Sequence, residues 1–148
     1  MINLPEILQA AAFHDHRGVL RAFDGFSLKP IVRMYAIESA NTNIIRAWQG
    51  YFKECKWFYA ASGSFEVQTI PIDLSGKPDS DQLRRWILNA ADSTVLAIPC
   101  GYLNGFKALE ESSRLLVFSD FDLEVSKADE IRFSLEEIPW TESNPHIN

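Results

Sequence analysis

A lysine at the head of an aromatic run is the residue of this chain best suited to chemistry. Lys56 opens the segment Lys56-Trp57-Phe58-Tyr59-Ala60-Ala61. Side chains alternate between faces along an extended chain, so Lys56 points to the same side as Phe58 and Ala60. If that side is the interior, an ammonium is carried inward and needs a partner, because an unpaired buried charge is costly. The competing reading is a salt bridge to Glu54 or another acid at the rim. Tyr51, just upstream, is a phenol able to move a proton, although an ordinary pKa of about 10 makes it a poor base at neutral pH without help. Arg46 sits inside the apolar run Ile44–Trp48, and Arg17 follows His16 in a turn. A guanidinium fork binds phosphate oxygens in pairs, so ligand contact is the functional reading of both; for Arg17 a surface ion pair competes. His14 and His16 straddle Asp15 at the spacing of a strand-borne metal pair, which two surface imidazoles at a turn explain equally simply.

Most of these residues fall in two segments. Asn43 to Gly63 carries two β-prone apolar runs, Ile44–Trp48 and Trp57–Ala61, around a polar turn, and ends on Ser-Gly. Downstream comes Ile98-Pro99-Cys100-Gly101-Tyr102-Leu103-Asn104-Gly105-Phe106. The pair resembles the two motifs of the cupin barrels, in which an HxH pair, a carboxylate and a glycine precede a PxGxxH segment. In that frame Gln49 and Tyr51 stand at the two histidines, Lys56 at the carboxylate and Asn104 at the last histidine. Transition metals need imidazole, thiolate or carboxylate donors, so this donor set is expected to hold no metal.

A narrower resemblance is to the RmlC-like cupins: the dTDP-4-dehydrorhamnose 3,5-epimerases and the WxcM-like sugar-nucleotide 3,4-ketoisomerases. The matching pieces are Asp15-His16-Arg17-Gly18, Ile45-Arg46-Ala47-Trp48-Gln49, Lys56 before Gly63, the Ile98–Phe106 segment, Ile131-Arg132-Phe133 and Ile138-Pro139-Trp140. They keep the family's order over nearly the whole chain. The resemblance implies that Lys56 stabilises an enolate beside a sugar 4-keto group. It implies too that Arg17 and Arg46 hold a diphosphate and sugar. Gln49, Tyr51 and Asn104 then line the pocket, reading sugar hydroxyl and carbonyl groups; Trp48 is a candidate for stacking on a base or sugar, and His16 for touching the nucleotide. The family's base is a histidine at the position of Gln49. Its acid is a tyrosine shortly after the match to Asp120, where this chain reads Phe121-Asp122. An amide cannot be a general base, and phenylalanine cannot be an acid, so the family mechanisms do not transfer unchanged. Two readings follow. One is an isomerase or epimerase of keto-deoxysugar nucleotides using a rebuilt set with Tyr51 and Lys56 as catalytic residues and no cofactor; the other is a non-catalytic cupin that binds a nucleotide sugar as a regulatory or scaffolding subunit.

The elements that must position these residues read as strands. Signals recur every few residues without long helical periods: Ile7–Phe13 and Val19–Phe23 around a turn, Ile31–Ile37, Ser64–Thr69, Arg84–Asn89, Thr94–Ile98, Gly105–Leu109 and Ser113–Phe121. These signals predict an all-β sandwich or barrel, and the resemblance implies the double-stranded β-helix, the jelly-roll cupin barrel. It forms one domain over residues 1–140 with a polar tail over 141–148. Ser64–Thr69 alternates apolar and polar residues like a half-buried strand, and Ile70-Pro71 continues it to an edge. Trp57–Ala61 is apolar on both faces, which predicts a barrel interior on one side and a homodimer interface on the other. A net charge of −6 argues against nucleic acid or an anionic membrane as partners, leaving a small-molecule nucleotide sugar held by a local basic pocket. Two cysteines, Cys55 and Cys100, make no disulfide framework and read as reduced thiols of a cytoplasmic protein. No stretch has the pattern of a signal peptide or a membrane span.

Overall fold

The computed structural model describes residues 3–142. In chain order the elements are β1 (Glu6–Gln9), β2 (Ala11–Asp15), β3 (Gly18–Ala22), β4 (Arg33–Glu38), β5 (Arg46–Tyr51), β6 (Lys56–Ser62) and β7 (Ser64–Pro71). Then follow β8 (Arg84–Asn89), β9 (Thr94–Ile98), β10 (Tyr102–Ala108), β11 (Arg114–Ser119), α1 (Leu123–Asp129) and β12 (Glu130–Arg132). The strands form two five-stranded antiparallel sheets, β1-β9-β6-β11-β4 and β12-β5-β10-β7-β8, and a separate β2–β3 ribbon. From β4 to β7 and again from β8 to β12 the chain steps back and forth between the sheets, which is the winding of the expected jelly roll.

Register decides which side chains share the interior. In the first sheet Ala60, Leu115 and Ile37 form one inward row, Phe58, Val117 and Tyr35 the next, and Lys56, Ser119 and Arg33 the third. Phe65, Leu88 and Leu96 close the apolar end, where Phe58, Phe65 and Phe106 pack edge to face. A second cluster covers the outside of the other sheet: Trp48, Ile70, Leu103 and Ile138, with Phe133 and Trp140 packed on them. The Ser-Gly turn between β6 and β7 needs its glycine, since Gly63 has φ +66° and any Cβ there would strike Ser113.

Several local expectations need correction. β7 is buried on both faces, not one: Glu66 is 1% exposed and Gln68 fully buried. The covers are Arg85, paired with Glu66, and the C-terminal segment, whose Thr141 carbonyl accepts from Gln68 Nε2 at 2.7 Å. That strand lies between β10 and β8, so Pro71 ends it without marking a sheet edge. The outer face of Trp57–Ala61 is covered in part from within, because Phe26 packs on Trp57 and Phe23 on Tyr59. The short helix α1 was not expected; Asp122 caps it by accepting the Val125 N–H at 2.9 Å. Of the tail over 141–148, residues 143–148 lie outside the described residues.

Candidate active site

Lys56 is carried inward by β6, with the parity of Phe58 and Ala60, and is 3% exposed. No carboxylate meets it among the described residues. Its ammonium donates instead to two phenol oxygens, Tyr35 at 2.7 Å and Tyr51 at 2.9 Å. It also lies 4.3 Å from the centre of the Tyr51 ring, which adds a cation–π attraction. Burial pulls the Lys56 ammonium down to about 8, despite the opposing field of Glu54. The same burial pushes Tyr35 up to about 12 and Tyr51 well above the ordinary phenol range, so both stay protonated at any working pH.

The acid that might have paired with Lys56 is committed elsewhere. Glu54, also buried, accepts from Arg33 Nη2 at 3.1 Å, from Ser126 Oγ at 2.7 Å and from the Ser119 hydroxyl. The turn ahead of Lys56 is pinned by Asp129 of α1, whose carboxylate accepts the Lys53 and Glu54 N–H groups at 2.8 Å, and by Asp120, which accepts the Cys55 N–H. The lysine therefore leaves a rigid base.

Lys56, Tyr35 and Tyr51 border a cavity of about 970 Å³ between the sheets. Gln49 and Tyr51 face it from β5, and Asn104, opposite Gln49 in the register, from β10. Asn104 is 4% exposed and its amide makes no hydrogen bond among the described residues. Its amide opens onto the cavity, where a ligand can reach it. Gln49 Nε2 donates to Glu130 Oε2 at 2.9 Å, and Arg132 holds the other oxygen of that carboxylate. Arg46 lies at the start of β5 on the cavity border and is exposed, although it falls within the apolar run Ile44–Trp48.

Thus Lys56, Tyr51, Gln49, Asn104 and Arg46 come together, and three other candidates do not join them. Trp48 borders the cavity with its backbone strand, but its indole stacks on Trp140 and donates to the Ile138 carbonyl at 2.7 Å, in the outer cluster. Neighbouring positions of a strand face opposite ways, and Gln49 takes the inner one. Arg17 and His16 sit in the turn of the β2–β3 ribbon; Arg17 is 79% exposed and paired with Asp15 at 2.6 Å. Sequence reasoning missed Tyr35 and Glu130. The first had a usable signal, the alternation Arg33-Tyr35-Ile37; the second, in a three-residue strand, had none. Among the described residues no three His, Cys, Asp or Glu side chains are grouped to hold a metal ion, and no helix is long and apolar enough to cross a membrane.

No family model matches the chain, and no curated protein matches it. Solved structures do. The chain is similar to a mutant of the 3,4-ketoisomerase QdtA from Thermoanaerobacterium thermosaccharolyticum in complex with TDP-4-keto-6-deoxyglucose, with 22% identity and a TM-score of 0.72 over 90% of each chain. It is similar to the WlaRB TDP-quinovose 3,4-ketoisomerase from Campylobacter jejuni, with 23% identity and a TM-score of 0.67 over 89% of this chain and 95% of that one. It is also similar to the dTDP-4-dehydrorhamnose 3,5-epimerase from Bacillus anthracis with TDP and PPi bound, with 19% identity and a TM-score of 0.72 over 95% and 87%. The chain has the all-β cupin fold that these ketoisomerases and epimerases share.

Proposed function

We propose that this chain is an isomerase or epimerase of nucleotide-linked keto-deoxysugars. It would act without a metal in deoxysugar or surface-polysaccharide biosynthesis, as a cytoplasmic homodimer. One observation carries the reading: a buried ammonium, met by two phenols and no carboxylate, stands in the wall of an open cavity. Each phenol accepts from Lys56; the Tyr35 O–H is left to give, and the Tyr51 O–H, which also meets the Ser126 side chain, turns to a ligand. A sugar ketone seated against Tyr35 and Tyr51 would take both hydroxyls, polarised from behind by the lysine. When the neighbouring C–H bond breaks, charge gathers on that oxygen, and donors fixed in advance favour the transition state over the ground state. Arg46, Lys127 and Arg132 on the cavity border supply the local positive charge that a diphosphate needs. The unpartnered Asn104 amide is placed to read a sugar hydroxyl.

The homodimer is supported by Phe13, Val19 and Leu20, which the β2–β3 ribbon leaves exposed. Arg17 and His16 touch a nucleotide only across such a subunit boundary, since neither borders the cavity of its own chain. The test is exchange of solvent deuterium into a dTDP-4-keto-6-deoxysugar. Wash-in at C3 or C5 that is lost in Lys56→Met supports the proposal. Tight binding with no exchange would make the protein a non-catalytic binder, and neither binding nor exchange would leave only the fold.

A further inference from the structure

We infer that Glu130 is the base of this site, removing the proton from the carbon beside the ketone, with Gln49 as its positioning residue. The inference rests on the proton-transfer reading above and names the group that reading lacks.

Position comes first. β12 runs antiparallel to β5 and sets Glu130 opposite Tyr51 and Arg132 opposite Gln49. Side chains opposite one another in a sheet share a face, so Glu130 joins Tyr51 on the cavity side. Its side chain is 19% exposed and borders the cavity. A carboxylate offers about four lone-pair positions. Gln49 and Arg132 use one each, and no other group among the described residues bonds to it. The Gln49 amide fixes the carboxylate as a donor while having no basicity of its own.

Elimination agrees. Tyr35 and Tyr51 are held protonated by burial, Lys56 carries its proton at neutral pH, and Asn104 is an amide. Glu54 is surrounded by donors and does not border the cavity. Glu38 does border it, but on the rim, 61% exposed and paired with Arg114. His14 and His16 lie on the ribbon. Glu130 is what remains with free lone pairs beside the phenols.

Its charge state suits the task. Burial pushes the Glu130 carboxyl up, but the hydrogen bonds from Arg132 and Gln49 outweigh it and hold the group below the ordinary range, with the fields of Arg132 and Lys56 adding to them. The groups facing it are Arg132 on its own strand, Tyr51 on β5, Lys56 on β6, Tyr35 on β4 and Lys127 on α1. Arg132 is 70% exposed, so a ligand phosphate competes with Glu130 for it. When the phosphate takes that bond the chief downward pull is removed, and the base strengthens only with substrate in place.

The step balances. The C–H bond breaks, its proton going to a Glu130 oxygen and its electron pair into a carbon–carbon double bond, while the carbonyl π pair moves onto oxygen. That oxygen takes a proton from a tyrosine hydroxyl. In the same motion that tyrosine takes one from the hydroxyl on the carbon that lost its hydrogen, so no tyrosinate is left standing. Glu130 returns its proton to the former carbonyl carbon, and the ketone has moved by one position with nothing consumed.

The experiment compares deuterium exchange into a dTDP-4-keto-6-deoxysugar with protection of the protein against heat by the same compound. Glu130→Gln is expected to lower exchange by about 10²–10⁴-fold, the usual worth of a general base, while the ligand still raises Tm. Glu130→Ala should recover exchange when formate is added, which a merely structural side chain would not do. Undiminished exchange in Glu130→Gln overturns this inference and leaves the proposed function standing. So does loss of exchange together with loss of heat protection, which would mark Glu130 as a binding group. Wild-type protein that exchanges nothing overturns both.

Discussion

The two ends of this barrel are built on the same three inward rows, yet they are different solvents. At one end Ala60, Leu115 and Ile37 meet Phe65, Leu88 and Leu96 in a sealed apolar contact. Four residues back along β6, the row of Lys56, Ser119 and Arg33 carries two cations, one of them bonded to a fully buried glutamate. Burying apolar surface stabilises the chain at about 25 cal/mol per Å². The polar end works against that gain, since each charge taken from water must be repaid by partners. Arg33 and Glu54 satisfy each other. Lys56 receives only phenol oxygens, and its lowered pKa records the deficit. One end holds the fold together; the other keeps a charge ready for something that is not protein.

The contrast can be broken from either side. Phe65→Ala at the apolar end is expected to destabilise by about 3–5 kcal/mol, the range for emptying a buried aromatic site, as read by urea unfolding. Lys56→Met at the polar end should do the opposite to stability, leaving the urea midpoint unchanged or raised. Exchange should nevertheless fall by about 10²–10³-fold, as when one donor to a developing oxyanion is lost. If that variant unfolds like the first, the lysine is structural and the two ends do not differ in kind. Tyr51→Phe removes one of two phenols and is expected to lower exchange by about tenfold, near 1.4 kcal/mol, with little change in unfolding.

The smallest effect is in pH, and it sharpens the comparison. The folded pKa of Lys56 lies near about 8, below the ordinary 10.5, through burial first and the fields of Arg33 and Arg132 next, against Glu54 and Glu130. Between those values the unfolded chain binds more protons than the folded one, so the contribution of Lys56 to stability rises with pH across that window. The exchange rate should fall over the same window as the ammonium is lost. A pH–rate profile that declines above about 8 while thermal stability at low salt does not would separate loss of the charge from loss of the fold. A rate that climbs there would make Lys56 a base.

Much of this is legible in the sequence. The frame Gln49, Tyr51, Lys56, Asn104 was legible through the resemblance to the two cupin motifs, and the inward side of Lys56 through strand parity, since it shares its face with Phe58 whatever lies opposite. The alternation of β7 misled, because Glu66 and Gln68 look solvent-facing until Arg85 and Thr141 arrive from elsewhere to cover them. Trp48 misled for a related reason, as only Trp140 and Ile138 show on which side of the sheet its ring is taken up. Arg17 and His16 stand in the expected motif but on a ribbon outside the two sheets, away from the cavity of their own chain.

Local pattern determined that this chain alternates into strands of an all-β sandwich or barrel and that Lys56 shares a face with Phe58 and Ala60, while the jelly roll was implied by the motif resemblance. Tertiary structure decided what that lysine meets. The phenol of Tyr35 reaches it across 21 positions, and Gln49 finds Glu130 across 81. Contacts of that separation depend on which strands become neighbours, and no periodicity in the chain encodes which of several carboxylates will be buried beside which amide.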